Sequence, residues 1–162
     1  MNQQVSSGTA GSAAALAAGG GNLQFATFYL NGELFGVNIL QVQEILLPQQ
    51  ITPVPLASEH ILGLISLRGQ IVTAVDLKRR LGKSTTQSVA DPYQIVVKTA
   101  GLIASFQVDQ IGDVIEVAAE EKKPPPESIS QQDAHFLEGV YPMNNEILSI
   151  LNVEAVLETI SL

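Results

Sequence analysis

The sequence predicts an all-β fold of two small five-stranded barrels in tandem, with short helices. Three observations predict it. From Leu23 onwards the chain consists of short apolar runs rich in Val, Ile, Phe and Tyr, these runs are separated by Asn, Gly and Pro, and their order repeats once along the chain. Because five short antiparallel strands that close on themselves leave no exposed sheet edge, each repeat is expected to form one barrel.

The first 22 residues differ in composition from the rest of the chain. They are mostly Gly, Ala, Ser and Gln, with almost no charge and few large side chains. Such a segment buries too little apolar area to offset the entropy lost on ordering it. The prediction is a disordered low-complexity tail over 1–22 and a folded region over 23–160, with the first barrel at about 23–83 and the second at about 92–160.

The first half contains five predicted strands and a short helix. A hairpin signal, Asn31-Gly32, separates the first two strands. Asp76 is a good helix N-cap, because its side-chain oxygen can accept a hydrogen bond from the first helical turn, and the helix is predicted over Asp76–Leu81. The predicted strands are at about 24–30, 33–39, 42–47, 64–68 and 70–75.

The second half repeats this order of elements. Gly32 aligns with Gly101 at an offset of 69 residues, and Gly63 aligns with Gly139 at an offset of 76 residues. The change in offset marks an insertion near the Pro124–Pro126 run. The predicted strands are at about 93–99, 102–109, 112–118, 139–144 and 146–151, followed by a helix over Asn152–Thr159. An internal duplication is the preferred interpretation, and the two barrels are expected to pack on one another.

Composition argues against several classes of function. The chain has 8 basic and 16 acidic residues, a net charge of −8, no cysteine and two histidines. Acidic excess disfavours broad binding to phosphate backbones or anionic membranes, and no apolar run is long enough to span a bilayer. His60 and His135 have no metal-binding or catalytic spacing. The expectation is a cytoplasmic protein that is not an enzyme and uses no cofactor, no metal and no direct membrane insertion.

Two groups of basic residues are candidates for binding. The first group consists of four residues close together in the sequence, Lys78, Arg79, Arg80 and Lys83. Because of this group, a barrel that binds single-stranded nucleic acid remains a minor alternative. The preferred interpretation is that the four residues form the solvated face of a helix. Arg68 is the other candidate, because it stands alone at the end of an apolar strand. Its repeat counterpart, Asn144, is uncharged. Arg68 is therefore expected to point outward as an interface residue, without a carboxylate partner in the same chain.

Several segments resemble a known family, the CheW-type chemotaxis coupling proteins. In the first half the similarity is to the family's segments YGVDI-x-x-V-x-EI, IT-x-VP, I-x-GVINLRG and I-x-PVIDLR-x-x-FG. In the second half it is weaker but in the same order, and it covers about residues 23–160 in all. The first-half segments are 35–45 (FGVNILQVQEI), 51–55 (ITPVP), 61–69 (ILGLISLRG) and 71–82 (IVTAVDLKRRLG).

The resemblance implies two five-stranded SH3-like barrels and a non-enzymatic adaptor function. Such an adaptor joins the cytoplasmic tip of a methyl-accepting chemoreceptor to the regulatory domain of the histidine kinase CheA. Carried over by position, the receptor-facing residues are Val42, Glu44, Gly63 and Arg68, and the kinase-facing surface is mostly on the second barrel. The alternative is an adaptor of a non-flagellar chemosensory pathway that controls pilus motility or a second messenger. No nucleic acid is implied as a partner.

Overall fold

The structure, a computed structural model, describes residues 21–158, apart from the side chains of residues 131 and 132. Ten strands make up about half of it, and three short α-helices and two 3-10 turns (Ile39–Gln41 and Ala119–Glu121) lie between them. The strands are β1 (Asn22–Leu30), β2 (Glu33–Asn38), β3 (Val42–Leu46), β4 (Ile61–Leu67), β5 (Gln70–Asp76), β6 (Tyr93–Thr99), β7 (Leu102–Val108), β8 (Gln110–Ala118), β9 (Leu137–Pro142) and β10 (Ile147–Leu151). The helices are α1 (Leu77–Arg80), α2 (Gln131–Ala134) and α3 (Val153–Leu157). None of these helices has the length or apolar character needed to cross a bilayer.

Local predictions agree closely with these elements. Both predicted N-caps are confirmed, because the Asp76 side chain accepts a hydrogen bond from the Arg79 amide and the Asn152 side chain accepts one from the Ala155 amide. The all-β class is also confirmed. The last residue of the second predicted helix, Thr159, lies outside the described residues.

The predicted tail lies almost wholly outside the described residues. Its last two residues lie inside them and are ordered. Asn22 is the first residue of β1, and the carbonyl of Gly21 accepts a hydrogen bond from the amide of Ala119. Residues 21 and 22, which were predicted to belong to the tail, therefore form part of the folded region.

The strands form two five-stranded sheets that exchange elements between the halves of the chain. The first sheet has the order β8-β1-β2-β10-β9, and the second has the order β3-β6-β7-β5-β4. Each sheet therefore combines a hairpin from one half with three strands from the other half. The prediction that 23–83 and 92–160 each form a separate barrel is wrong. The 3-10 turn Ile39–Gln41 carries the chain from the first sheet to the second after only three residues.

The internal duplication is visible in the pairing of the strands. Val42 lies opposite Val97 in the second sheet, and the aligned residues Ile111 and Phe28 lie opposite each other in the first sheet. One parallel pair occurs in each sheet, β2 with β10 and β5 with β7, again at aligned places. The repeat inferred from the sequence is therefore confirmed, although its strands are exchanged.

Each sheet curls so that its two end strands approach one another. In the second sheet, Thr52 follows β3 and exchanges two backbone hydrogen bonds with Leu64 of β4, with N···O distances of 2.9 and 2.8 Å. In the first sheet, Lys123 follows β8 and pairs in the same way with Val140 of β9, at 2.8 Å for both bonds. Because Leu64 and Val140 are aligned in the repeat, the same closing bridge occurs twice.

The core joins the two sheets. The larger cluster of buried side chains includes Phe28 and Phe35 from the first sheet and Ile95 and Phe106 from the second, and the helices α1 and α3 complete it. A smaller cluster, centred on Phe25, Leu34, Tyr141, Leu148 and Ile150, fills the first sheet. The two sheets therefore pack on one another through a shared core, although they are not the one-per-half barrels whose packing was predicted.

A buried polar group lies on the second sheet. The Ser105 hydroxyl donates to Gln94 Oε1 at 2.6 Å, and Gln94 Nε2 donates to Gln107 Oε1 at 3.1 Å. Ser105 and Gln94 are 0% and 1% exposed. At the aligned positions of the first sheet the chain has Gly36 and Phe25, so the polar side chains are particular to the second sheet.

We expect Ser105→Ala to lower the free energy of unfolding by about 1–3 kcal/mol, because it leaves the buried Gln94 oxygen without its donor. The matched control is Ser66→Ala, which removes an exposed hydroxyl from a strand of the same sheet and should change stability by less than about 0.5 kcal/mol. Urea denaturation of both variants checks this. Equal effects would show that the hydroxyl of Ser105 has no structural value.

Candidate functional site

Arg68 occupies a turn that suits another residue type. The two-residue connection between β4 and β5 has positive φ angles at both positions, 53° at Arg68 and 80° at Gly69. The connection between β1 and β2 has nearly the same angles, 51° and 81°, at Asn31 and Gly32. Asn and Gly are the residues that such turns favour, whereas an ordinary side chain costs about 1–2 kcal/mol in this conformation. The second hairpin therefore holds an arginine at a conformational cost.

The side chain of Arg68 forms a two-pronged ion pair with Glu44. Arg68 Nη1 donates to Glu44 Oε1 and Nη2 lies by Glu44 Oε2, both at 2.9 Å. The Arg68 side chain is 76% exposed, and that of Glu44 is 17% exposed. The prediction of an outward arginine is confirmed, but the expectation that it has no carboxylate partner is wrong. Curling of the second sheet brings Glu44 of β3 next to the turn after β4, which the linear sequence does not indicate.

The ion pair leaves much of the guanidinium available. Arginine has five N–H donors, and within residues 21–158 the only hydrogen-bond partner of this guanidinium is Glu44. An exposed pair of this kind stabilises the fold by at most about 1 kcal/mol. Its main effect is to fix the direction in which the remaining donors face solvent.

Val42 and Gly63 have different surroundings. Val42 is half-buried and packs against the larger core cluster, two residues before Glu44 on β3. Gly63 is buried at the closing bridge of the second sheet, with a φ of 149°, and a Cβ atom there would lie 2.2 Å from the carbonyl oxygen of Thr52. The structure brings Glu44 and Arg68 together at the surface, whereas Val42 packs against the core and Gly63 lies at the closing bridge.

Sequence reasoning missed an exposed leucine in the loop between β3 and β4. Leu56 is 104% exposed and has a φ of 63°, in a turn in which the amide of Ala57 donates to the carbonyl of Val54 at 3.3 Å. A turn with positive φ at its third residue and Pro at its second favours Gly at that third position. The available signal was the Pro55-Leu56 pair. Leu47, which follows β3, is also strongly exposed, at 70%.

The clustered basic residues are engaged within the chain. Lys78 pairs with Asp109 at 2.8 Å and is only 12% exposed, and Lys83 pairs with Glu33 at 3.2 Å. Arg80 donates through Nε to the carbonyl of Val156 at 2.7 Å, near the end of α3. The expectation of a solvated helix face is therefore wrong for Lys78. The ion pairs of Lys78 and Lys83 reduce the positive charge on which the nucleic-acid alternative depended.

The two histidines do not come together. His60 lies within 3.3 Å of the Ser58 hydroxyl, and His135 Nε2 lies 3.1 Å from Glu158 Oε1. Among the residues that the structure describes, no group of three or more His, Cys, Asp or Glu side chains is placed to hold a metal ion.

Comparison with known proteins agrees with this arrangement. Residues 24–161 match the family described as CheW-like domain. The chemotaxis protein CheW of Treponema pallidum is 30% identical over 80% of this chain and 79% of its own length, and that of Helicobacter pylori is 29% identical over 84% and 82%. The crystal structure of the scaffolding protein TtCheW from Thermoanaerobacter tengcongensis has a TM-score of 0.78 and 30% identity, and the match covers 86% of this chain and 94% of that one. With two curled sheets, an internal repeat and a family match over nearly all of its length, this chain belongs to the CheW-like domain family of chemotaxis adaptors.

Proposed function

We propose that this protein is an adaptor that couples the cytoplasmic tip of a methyl-accepting chemoreceptor to the regulatory domain of the histidine kinase CheA, on the cytoplasmic side of the membrane. The observation that carries the proposal is the exposed Arg68, held in an unfavourable turn and aimed by Glu44. Backbone strain that persists at an exposed position is typical of functional sites. Arginine is also among the residues that dominate interfaces.

The receptor contact is assigned to Arg68, Glu44 and Val42. A guanidinium that is fixed by one carboxylate presents its other donors to carbonyl or carboxylate groups of a partner. Hydrogen bonds with a charged partner are worth about 1.5–3 kcal/mol, more than neutral ones. Val42 contributes by anchoring β3 to the core two residues before Glu44, and Gly63 contributes through the path of β4.

The kinase contact is assigned to apolar strand surface. Exposed apolar side chains occur at aligned positions of the two sheets, Ile45 with Val114 and Ile71 with Ile147. Their exposed fractions lie between 43% and 62%. Apolar contact depends little on ionic strength, whereas pairing between exposed charges is screened by salt.

We expect the affinity for the kinase regulatory domain to change less than about threefold between roughly 50 and 150 mM NaCl. Ile147→Ser should weaken binding, because it removes apolar contact area. Val89→Ser is the matched control, since Val89 is 40% exposed in the segment that links β5 and β6 through α1. Titration calorimetry checks both expectations. Loss of most of the affinity over this salt range would contradict an apolar interface, and failure to bind the cognate kinase domain at all would overturn the adaptor function.

A further inference from the structure

A cleft of about 720 Å³ opens at one end of the first sheet, away from the Arg68 turn. It lies between the end of β8 and the hairpin of β9 and β10. The charged side chains that line it are Glu116, Glu120, Glu121 and Lys123, so carboxylates outnumber cations by three to one. Asn22 Nδ2 holds the Glu116 carboxylate at 2.6 Å. The cleft is therefore suited to a positively charged ligand.

A tyrosine with a buried hydroxyl lines the same cleft. Tyr141 is 2% exposed, and its hydroxyl has no hydrogen-bond partner among the side chains and backbone of residues 21–158. Burial raises the pKa of this hydroxyl, and the nearby carboxylates of Glu138 and Glu121 raise it further, so the group is neutral. A buried polar group without a partner is unfavourable, and natural proteins retain few of them.

The internal repeat shows that the fold does not need these polar groups. The position aligned with Tyr141 in the second sheet is Ile65, which is also 2% exposed. The position aligned with Glu116 is Leu47. Both sheets have the same pairing scheme, so a hydroxyl and a carboxylate at this end are additions to the first sheet only.

We propose that this cleft binds the guanidinium group of an arginine side chain from a partner protein. A guanidinium has only donors, which matches the acceptors of this cleft, its three carboxylates and one unpaired phenolic oxygen. The other polar side chains of the cleft are Asn22, Lys123 and Asn144. Several carboxylates spread around a cleft suit a broad planar cation, and the described residues contain no cluster compact enough for a metal ion. The cleft shares no residue with the proposed receptor and kinase contacts, although Ile147 of the kinase contact pairs with Pro142 at its edge.

The test uses the full chain and three short capped peptides, Gly-Arg-Gly, Gly-Lys-Gly and Gly-citrulline-Gly, followed by NMR titration. Citrulline has nearly the shape of arginine but no charge. We expect saturable shifts in the cleft with the arginine peptide, weaker binding of the lysine peptide and none of the citrulline peptide. Equal binding of lysine would overturn the guanidinium assignment, and equal binding of citrulline, or no binding of arginine, would overturn the site.

Single substitutions in the cleft test whether its residues serve binding or folding. Tyr141→Phe and Glu121→Gln are each expected to weaken the arginine peptide about tenfold, the value of one hydrogen bond to a charged group. Glu127→Gln, which removes an exposed carboxylate outside the cleft, should have no effect. Tyr141→Phe should melt at the same or a higher temperature, because the hydroxyl it removes is unpaired. A lower melting temperature would show that the hydroxyl has a structural partner and would contradict the proposal.

Discussion

Arg68→Asn is expected to abolish receptor-stimulated kinase activity and to leave the protein folded. The change removes the exposed guanidinium, and an interface residue of this kind costs about 2 kcal/mol or more when truncated, which weakens binding about 30-fold. Asn is favoured at the positive φ of this turn, so relief of backbone strain offsets the lost ion pair. The free energy of unfolding should therefore stay within about 1 kcal/mol of the original value.

Two measurements on each variant decide this prediction: thermal denaturation, and kinase activity reconstituted with receptor and CheA. Lys98→Asn is the matched control, because it removes an exposed cation from β6 of the same sheet. If Arg68→Asn folds and couples normally, Arg68 is not an interface residue. If it unfolds, the turn depends on the arginine itself.

Exchanging the charges of Arg68 and Glu44 tests whether their ion pair serves the interface or only the fold. Glu44→Lys alone should reduce coupling, because it places a second cation beside Arg68 and removes the carboxylate that orients its guanidinium. The double variant E44R/R68E restores a pair of opposite charges at the same place. We expect it to recover stability but not coupling. Recovery of coupling would show that the pair serves only the fold.

Gly63→Ala is expected to cause the largest loss of stability of any substitution considered for this surface, about 3 kcal/mol or more. The added Cβ atom would lie 2.2 Å from the carbonyl oxygen of Thr52, which no real contact allows. The backbone must shift, and the two hydrogen bonds between Thr52 and Leu64 break with it. Since these bonds close the second sheet, their loss opens its two end strands.

Gly69→Ala provides the control for backbone conformation alone. Gly69 has a φ of 80° and no atom within 4 Å of an added Cβ, so its replacement costs only the strain of a positive φ, about 1 kcal/mol. Urea denaturation of the two variants gives the difference directly. A Gly63→Ala variant no less stable than Gly69→Ala would show that the closing bridge is dispensable.

The sequence was informative wherever a signal is local. The Asn31-Gly32 turn and the N-caps at Asp76 and Asn152 were all predicted from nearby residues. Partner choice among strands is not local. The alternation of side chains along β3 is the same whichever hairpin the strand pairs with. The sequence therefore predicts pairing of β3 with the strands of its own half, whereas in the structure it pairs with β6, next to β7.

In the candidate site, too, the local features were predicted and the long-range contacts were not. Arg68 stood out because it is an isolated cation next to a glycine, but its pairing with Glu44 depends on how the sheet curls, 24 residues away in sequence. The strain at Leu56 was not predicted either, because a leucine after proline also fits turns in which φ is negative. Only the φ angle of Leu56 in the structure distinguishes the two kinds of turn.

The exchange of strands between the halves has a consequence for synthesis of the chain. The first hairpin, β1 and β2, needs β8 on one side and β10 on the other, and β10 ends at Leu151. Neither edge of this hairpin is covered while the first half leaves the ribosome, and uncovered edges invite pairing with other chains. The first sheet becomes complete only after Leu151 has been synthesised, so its folding depends on contacts between residues far apart in the sequence.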